Sequence, residues 1–195
     1  VIALLKAAGI DVSEYTINPD GSWFHATYDK VEEVRDVIKA HLPAIPVAVG
    51  SGTINDLVKR GSEEAGVRYM VVGTAASMDG YTSYGAAITK DGMKQTLPCR
   101  APLGALVDSQ VSAEAPKEMT ASGYADLLAK VPAGADWILA DALAAALPET
   151  EKHGCERIHP LAWRCVQGPL RASLANPAGV ATGDEGEIRK LSEGL

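Results

Sequence analysis

The sequence has few cysteines, no long apolar run and a deficit of positive charge. Its three cysteines, Cys99, Cys155 and Cys165, are odd in number and form no Cys-x-x-Cys pair, which argues against a disulfide framework and predicts a cytoplasmic protein. No stretch of about 18 consecutive apolar residues occurs, so no membrane span is expected. Lysine and arginine number 18 against 25 aspartates and glutamates. The formal net charge of −7 argues against a nucleic-acid partner.

The amino terminus lacks the features of a secreted protein. Residues 1–8 carry Lys6 within an apolar run and show no signal-peptide cleavage site, so no signal peptide is predicted. The chain starts at Val1 rather than at a methionine, and Gly9 follows a run that is typical of a helix end. We therefore expect the sequence to be truncated at both ends.

The most informative stretch is a short apolar run followed by a glycine turn and a helix start. Residues 46–49 (Pro-Val-Ala-Val) are typical of a buried parallel strand. Gly50 and Gly52 allow a tight turn and close approach of a ligand to the backbone. A helix that starts here presents unpaired N–H groups to an anion such as a diphosphate. The alternative is a purely structural turn, in which Thr53 caps the helix and Asp56 completes a capping box.

Alternating strand and helix patterns predict an α/β fold, with a Rossmann-like parallel sheet, a β-hairpin and then an all-helical region. Strands are expected at residues 11–17, 46–49, 68–72, 84–89, 93–97 and 103–107. Helices are expected at residues 27–40, 54–65, 116–131, 135–147, 158–174 and 184–194. We place a domain boundary near residue 112, so that the predicted domains are residues 1–112 and 113–195.

Two of these helices lead to specific expectations. The helix at 135–147 is apolar almost all round, so it is expected at the centre of the helical domain. In the helix at 116–131, the i, i+3, i+4, i+7 spacing predicts a core-facing stripe of Tyr124, Leu127, Leu128 and Val131.

Asp126 points away from that stripe, and two interpretations of it stay open. In the first, Asp126 is exposed and forms an i,i+4 ion pair with Lys130, worth roughly a few tenths of a kcal/mol. In the second, Asp126 faces a cleft between the domains, where its carboxylate is a hard ligand for a divalent cation. The spacing of the residues does not decide between them.

Small residues and hydroxyls follow the predicted strand at 68–72. Residues 74–77 (Thr-Ala-Ala-Ser) would lie at the carboxyl edge of the sheet, where ligands of open α/β sheets bind. The two hydroxyls could hydrogen-bond a cofactor. Asp79 lies in the next loop, where it either accepts hydrogen bonds from substrate hydroxyls or only forms an Asx-turn before Gly80.

Three stretches occur in the order that one family shows. The first, residues 50–56 (Gly-Ser-Gly-Thr-Ile-Asn-Asp), resembles the nucleotide loop of the sn-glycerol-1-phosphate dehydrogenases. The second, residues 74–80 (Thr-Ala-Ala-Ser-Met-Asp-Gly), resembles that family's second signature. The third, residues 119–130 (Met-Thr-Ala-Ser-Gly-Tyr-Ala-Asp-Leu-Leu-Ala-Lys), resembles the helix that carries its first metal ligand. That family lies within the iron-containing alcohol dehydrogenase and dehydroquinate synthase superfamily, and the resemblance is strongest to its bacterial branch. Ser51 stands where many relatives have glycine.

The resemblance implies an NAD(P)-dependent, metal-dependent oxidoreductase that interconverts dihydroxyacetone phosphate and sn-glycerol 1-phosphate. Asp79 would contact this small-molecule substrate, and Asp126 would be a catalytic residue that binds both substrate and Ni²⁺ or Zn²⁺. The first predicted domain would bind nucleotide, the second would bind metal and substrate, and the protein would be a homo-oligomer. The residues that would hold NAD(H) or NADP(H) are Gly50, Ser51, Gly52, Thr53, Ile54, Asn55, Asp56, Thr74, Ala75, Ala76, Ser77 and Ser83.

The histidines do not match the metal site that the resemblance implies. The family's two histidine ligands follow the aspartate, whereas His25 and His41 precede the nucleotide loop. His153, Cys155 and His159 form a His-x-Cys-x-x-x-His pattern, for which a polar loop or a helix start is favoured over a metal site. A non-catalytic nucleotide-binding module therefore stays open as an alternative function. A dehydroquinate synthase-like lyase, which uses the same loop and metal, is a third alternative, and residues 74–80 argue against it.

Overall fold

The computed structural model describes residues 1–151 and 156–195, in which an α/β half precedes a helical half. The first half comprises α1 (Ile2–Ala7), α2 (Tyr28–Ala40), β1 (Val47–Gly50), α3 (Gly52–Glu64), β2 (Met70–Gly73), β3 (Ala86–Lys90), β4 (Met93–Leu97) and β5 (Ala105–Val107). The second comprises α4 (Ser109–Ala113), α5 (Lys117–Leu128), α6 (Lys130–Ala146), a 3₁₀ turn (Glu149–Glu151), α7 (Pro160–Leu174), α8 (Pro177–Thr182) and α9 (Glu185–Gly194). The predicted fold class is confirmed.

Strands β1, β2 and β5 form a parallel sheet in the order β1-β2-β5, in which Ala48 pairs with Val71. Strands β3 and β4 form a separate antiparallel hairpin, as predicted, and Asp91 and Gly92 form its turn. Parallel strands end at the same edge of a sheet, and ligands of open α/β sheets bind there. The loops at 50–56 and 74–80 both begin at this edge.

Helices α2 and α3 pack on one face of the parallel sheet. The core between them contains Val31, Val34, Ile38, Ala48, Leu57, Val58 and Val71. Val47 and Val49 point to the opposite face, because side chains alternate along a strand, and they are 39% and 45% exposed. The expectation that residues 46–49 are buried on both faces is therefore wrong for this structure.

Residues 11–17 are irregular, so the prediction of a strand there is wrong. In the part of the chain that the structure describes, no strand pairs with this segment, and a β-ladder requires a paired backbone. Side chains attach the segment instead. Lys6 forms an ion pair with Glu14 at 2.7 Å, and the Tyr15 hydroxyl donates a hydrogen bond to Glu33.

The helical half has its own core, which comes from α5, α7, α8 and α9 and contains Leu127, Leu170, Val180, Ile188 and Leu191. The prediction that residues 135–147 lie at its centre is wrong, since Ile138 and Leu139 of α6 are 54% and 60% exposed. Most apolar residues of α6 are alanines, which offer little surface to bury. Trp137 makes an edge contact with Trp163 of α7, with ring centroids 6.1 Å apart. None of the described helices has the length and apolar character needed to cross a membrane.

Helix α5 ends at Leu128, earlier than predicted, and this changes its core-facing stripe. Leu127 is fully buried and Tyr124 packs against the same core, as predicted. Leu128 and Val131 are exposed, which contradicts the prediction. Val131 belongs to α6, beyond the end of α5 at Leu128, so the helical spacing of α5 no longer determines which face it occupies.

Helix α5 lies directly against the loop that follows β2, and Gly123 permits this approach. A Cβ atom on Gly123 would lie 2.0 Å from the carbonyl oxygen of Ala76, which is far too close for a carbon and an oxygen that are not bonded to each other. Ala76 is itself part of the core of the helical half. The contact joins the two halves and brings Asp126, one turn along α5, towards the loop at 74–80.

Replacing Gly123 by valine should force α5 away from Ala76, because a loop backbone cannot yield as a flexible side chain can. We expect the free energy of unfolding to fall by about 2 kcal/mol or more, as at overpacked buried sites. Gly134→Ala is the matched control, since its Cβ would meet the Trp163 ring only at 3.6 Å and alanine favours a helix. Urea unfolding measures both variants, and a Gly123→Val protein as stable as wild type would contradict the contact.

Candidate active site

The glycine loop follows β1 directly and leads into α3. Ser51 occupies the N-cap position of α3 but makes no side-chain hydrogen bond to the helix. Thr53 lies within the first turn, and Asp56 Oδ2 accepts a hydrogen bond from the Ala87 N–H at 3.1 Å. The alternative of a Thr-x-x-Asp capping box is therefore wrong. The first-turn N–H groups of α3 have no intrahelical partner, which leaves them available to an anion.

Both glycines of the loop are required by close contacts. A Cβ atom on Gly50 would lie 2.8 Å from Ile54 Cγ1, within the turn itself. A Cβ atom on Gly52 would lie 2.8 Å from Cγ of Met78, which comes from the loop after β2. The sequence predicted that Gly52 admits a ligand to the backbone, and the structure adds that it also admits Met78.

A buried polar stripe runs along α3 behind the loop. Asn55, Lys59 and Ser62 are spaced four and three residues apart and are at most 1% exposed. The Tyr69 hydroxyl donates to Asn55 Oδ1 at 2.9 Å, and Asn55 Nδ2 donates to Asp56 Oδ1 at 3.1 Å. Burial raises the pKa of the Asp56 carboxyl and lowers the pKa of the Lys59 ammonium. The sequence interpretation missed Lys59, although polar residues at helical spacing beside Asp56 could have indicated it.

The loop at 74–77 runs along the carboxyl edge of the sheet, as predicted. The Thr74 N–H donates to the Gly50 carbonyl at 3.1 Å, so the two loops are hydrogen-bonded together. Ala75 and Ala76 are buried, and the Tyr81 hydroxyl donates to the Ala75 carbonyl at 2.7 Å. These contacts fix the backbone of the loop.

Asp79, Asp126 and Lys130 form one cluster at the far end of this loop. The Asp79 N–H donates to Asp126 Oδ2 at 2.8 Å, and the Lys130 ammonium contacts Asp79 Oδ2. Lys130 therefore pairs with Asp79 and not with Asp126, which overturns the exposed i,i+4 pair. Partial burial lowers the pKa of Lys130. The interpretation of Asp126 as a cleft residue is the one that agrees with its position.

A cleft of about 960 Å³ lies between the two halves of the chain. It brings together eight of the predicted site residues, namely Ser51, Gly52, Thr53, Asp56, Ser77, Asp79, Ser83 and Asp126. Ile54 lines a smaller adjoining cavity of about 240 Å³. The remaining predicted residues do not line either cavity: Gly50, Asn55, Thr74, Ala75 and Ala76.

The cleft also contains residues that the sequence interpretation missed. Trp23 and His25 come from the segment before α2, Lys94 from β4 and Met119 from α5. The Trp23 and His25 rings meet edge to face, with centroids 6.1 Å apart. Met119 is the first residue of the stretch at 119–130 but had no predicted role, and Trp23, His25 and Lys94 belong to none of the three motifs. Only the fold brings these separate segments to one cleft.

The described residues do not complete the metal site that was expected. Within residues 1–151 and 156–195, no three His, Cys, Asp or Glu side chains form a group that could hold a metal ion. Asp126 supplies one carboxylate, whereas protein sites for zinc use three or four ligands. His153 and Cys155 lie outside the described residues. His159 begins α7 and accepts a hydrogen bond from the Ala162 N–H at 3.4 Å, which confirms its interpretation as a helix-start residue.

Comparison with known proteins agrees with this geometry. The family model described as iron-containing alcohol dehydrogenase matches residues 1–116. A glycerol-1-phosphate dehydrogenase [NAD(P)+] of Bacillus velezensis is 33% identical over 98% of this chain and 46% of its own length. The Bacillus subtilis protein of the same name is 31% identical over 97% of this chain and 48% of its own length. The chain thus spans about half the length of the curated relatives it matches.

Solved structures show the same fold. A probable glycerol dehydrogenase from Sinorhizobium meliloti superposes with a TM-score of 0.75 at 20% identity, over 99% of this chain and 53% of that one. The archaeal Red Sea brine pool alcohol dehydrogenase ADH/D1 superposes with a TM-score of 0.74 at 17% identity, over 99% of this chain and 51% of that one. At these identities the similarity establishes the fold.

The raised pKa of Asp56 leads to a prediction about stability and pH. Folding raises this pKa, so the carboxyl contributes most to stability below its unfolded value of about 4 and loses that contribution as the pH rises through the folded value. Asp56→Asn keeps an oxygen that can accept from Ala87 but has no charge. We expect the unfolding free energy of Asp56→Asn, relative to wild type, to increase between pH 4 and pH 7. Urea unfolding across this range measures the difference, and a difference independent of pH would contradict it.

Proposed function

We propose a function for this chain, which belongs to the iron-containing alcohol dehydrogenase family. We infer that it is an NAD(P)-dependent oxidoreductase and that it interconverts dihydroxyacetone phosphate and sn-glycerol 1-phosphate. One observation carries the proposal: the start of α3 and the Asp79–Asp126 pair line the same cleft. The cleft therefore has an anion-binding end and a carboxylate end. The relatives named glycerol-1-phosphate dehydrogenase [NAD(P)+] support this choice of substrate.

The nucleotide would bind across the start of α3. Its diphosphate would accept hydrogen bonds from the first-turn N–H groups, where the helix dipole also favours negative charge. Thr53, Ser77 and Ser83 line the same cleft, and the Thr53 hydroxyl can donate to a ribose or phosphate group. The Ser83 hydroxyl donates to the Gly80 carbonyl at 3.0 Å and can accept from a ribose hydroxyl. When bound, the nicotinamide supplies or accepts the hydride. The protein contributes binding and orientation.

The substrate would bind beside Asp79 and Asp126. The Asp79 amide holds one oxygen of the Asp126 carboxylate, which fixes this group relative to the cleft. Lys130 balances the charge of Asp79, so the two neighbouring carboxylates need not repel each other fully. A carboxylate at this position can accept hydrogen bonds from substrate hydroxyls and orient the carbon that exchanges a hydride.

A divalent metal, Ni²⁺ or Zn²⁺, is the part of the proposal that rests on family membership. Asp126 is the residue that would contribute a carboxylate ligand. The described residues do not complete a ligand set.

Gly52→Val tests the nucleotide site. A valine side chain would occupy the space beside the first turn of α3, so we expect the Kd for NADH to rise by more than about tenfold, or roughly 1.4 kcal/mol. Isothermal titration calorimetry measures the affinity. Equal affinities in wild type and variant would rule out a diphosphate at this turn.

A control is needed because the new Cβ atom would also approach Met78. Met78→Ala gives the valine room, so the double variant Gly52→Val/Met78→Ala separates the two effects. Binding that stays weak shows that the valine blocks the nucleotide. Binding that returns to the level of Met78→Ala alone shows that the effect came from a displaced Met78.

Asp126→Asn tests the carboxylate end. Asparagine keeps an oxygen that can accept from the Asp79 N–H but removes the negative charge, so the loop should stay in place while turnover falls. In the full-length protein, we expect NADH-dependent reduction of dihydroxyacetone phosphate to fall by about 100-fold or more, as when a group that acts at the reacting centre is lost. The affinity for NADH should stay within about twofold of wild type.

Glu118→Gln is the matched control for Asp126→Asn. Glu118 lies on the same helix and lines the same cleft, and its substitution removes the same charge without disturbing Asp79. Its turnover should equal that of wild type. An Asp126→Asn protein with full activity would remove Asp126 from the mechanism. Because the chain spans about half the length of its relatives and its described residues complete no metal ligand set, we expect these 195 residues alone to bind Zn²⁺ or Ni²⁺ weakly and to show no turnover. A full-length protein that binds NADH but shows no turnover would favour a non-catalytic nucleotide-binding module.

A further inference from the structure

Lys59 is a buried cation with an unusual set of partners. Its ammonium donates to the carbonyl oxygens of Gly80 at 2.7 Å, Ser83 at 3.1 Å and Gly85 at 3.1 Å. The hydroxyl of Ser83 lies 3.4 Å away. All four oxygens belong to the loop between β2 and β3, so one side chain of α3 contacts this loop at three of its residues.

The partners are neutral, and that distinguishes Lys59 from a buried ion pair. Among the described residues, no carboxylate lies within ion-pair distance of the Lys59 ammonium, although the charge of Asp56 is near enough to favour the charged form. Several carbonyl oxygens surround the one positive charge of Lys59. Carbonyl oxygens replace the hydration shell of a monovalent cation in the same way in ion-channel filters. If the ammonium were removed, the carbonyl oxygens would lose the donor that they share. A buried acceptor without a donor destabilises the folded conformation of the loop.

The loop that Lys59 holds is a wall of the cleft. Gly80, Ser83, Tyr84 and Gly85 all line it, and Gly80 directly follows Asp79. The loop is also attached at its far end, where the Gly85 N–H donates to the Cys99 carbonyl at 3.1 Å. Between these points the carbonyls converge on Lys59, so its position determines where the Ser83 hydroxyl lies in the cleft.

We propose that Lys59 is a positioning residue, the tethered cation of a carbonyl cage that holds residues 80–85 in the conformation needed to bind the nucleotide. It does not touch the ligand, and it acts through Ser83 and the loop backbone. The part of this inference that concerns NADH rests on the proposed function. The part that concerns the loop stands on the ligand-free structure.

The first test is hydrogen exchange in the ligand-free protein. Lys59→Met keeps most of the side-chain volume and removes the charge and its donors. The Ser83 and Gly85 amides, which donate to the Gly80 and Cys99 carbonyls, should exchange at least tenfold faster than in wild type. Lys39→Met, an exposed lysine of α2, is the control and should change nothing. Wild-type exchange in Lys59→Met would overturn the proposal.

The second test distinguishes a cation from a space-filling side chain. In Lys59→Ala the missing atoms correspond to n-propylammonium, and 1-propanol has the same heavy-atom count without the charge. We expect Lys59→Ala to bind NADH at least fivefold more weakly than wild type. n-Propylammonium should restore both the affinity and the exchange protection of the loop, measured against tetramethylammonium at equal ionic strength.

The outcomes separate this inference from the proposed function. Rescue by n-propylammonium and not by 1-propanol supports the carbonyl cage, whereas equal rescue by both, or rescue by neither, overturns the cation role. A wild-type protein that binds no NADH would refute the nucleotide site, and the exchange measurements would still decide the role of Lys59 in the loop.

Discussion

Helix α5 can lie against the loop after β2 only because Gly123 has no side chain, and the cleft depends on this approach. The carbonyl of Ala76 fills the position that a Cβ atom would take. One turn further along α5, Asp126 comes within hydrogen-bonding distance of the Asp79 amide. A larger residue at position 123 would separate the helical half from the sheet and would therefore move the carboxylates away from the glycine loop.

Helix α3 serves the cleft in two ways. Its first turn presents N–H groups at the carboxyl edge of the sheet, where an anion can bind. Its buried face carries Asn55 and Lys59, whose side chains bind the backbone of the loop between β2 and β3. Asp56 extends the same support to the hairpin through Ala87. One helix thus links the parallel sheet, the loop and the hairpin that together form one side of the cleft.

The sequence predicted well those features that depend on neighbours along the chain. On α2, the core residues Val31, Val34 and Ile38 recur at helical spacing, and the predicted hairpin forms between β3 and β4. Predictions that depended on what packs against an element fared worse. An apolar pattern placed residues 135–147 at the centre of a core, but the alanines of α6 have too little side-chain surface to compete with the leucines of α5, α7 and α9.

The sequence by itself determined the α/β order, the glycine turn at Gly50–Gly52 and the helix that follows, because the backbone freedom of glycine and the period of apolar residues act over a few residues. Only the tertiary structure decided the partners of the polar side chains. Lys130 has Asp126 four residues away but pairs with Asp79, which is 51 residues away, and Lys59 finds its carbonyls 21 to 26 residues along the chain. The physical reason is burial: once the loop at 74–85 is packed between α3 and α5, polar groups that have lost their water are stabilised by partners from whichever segment the fold has placed beside them.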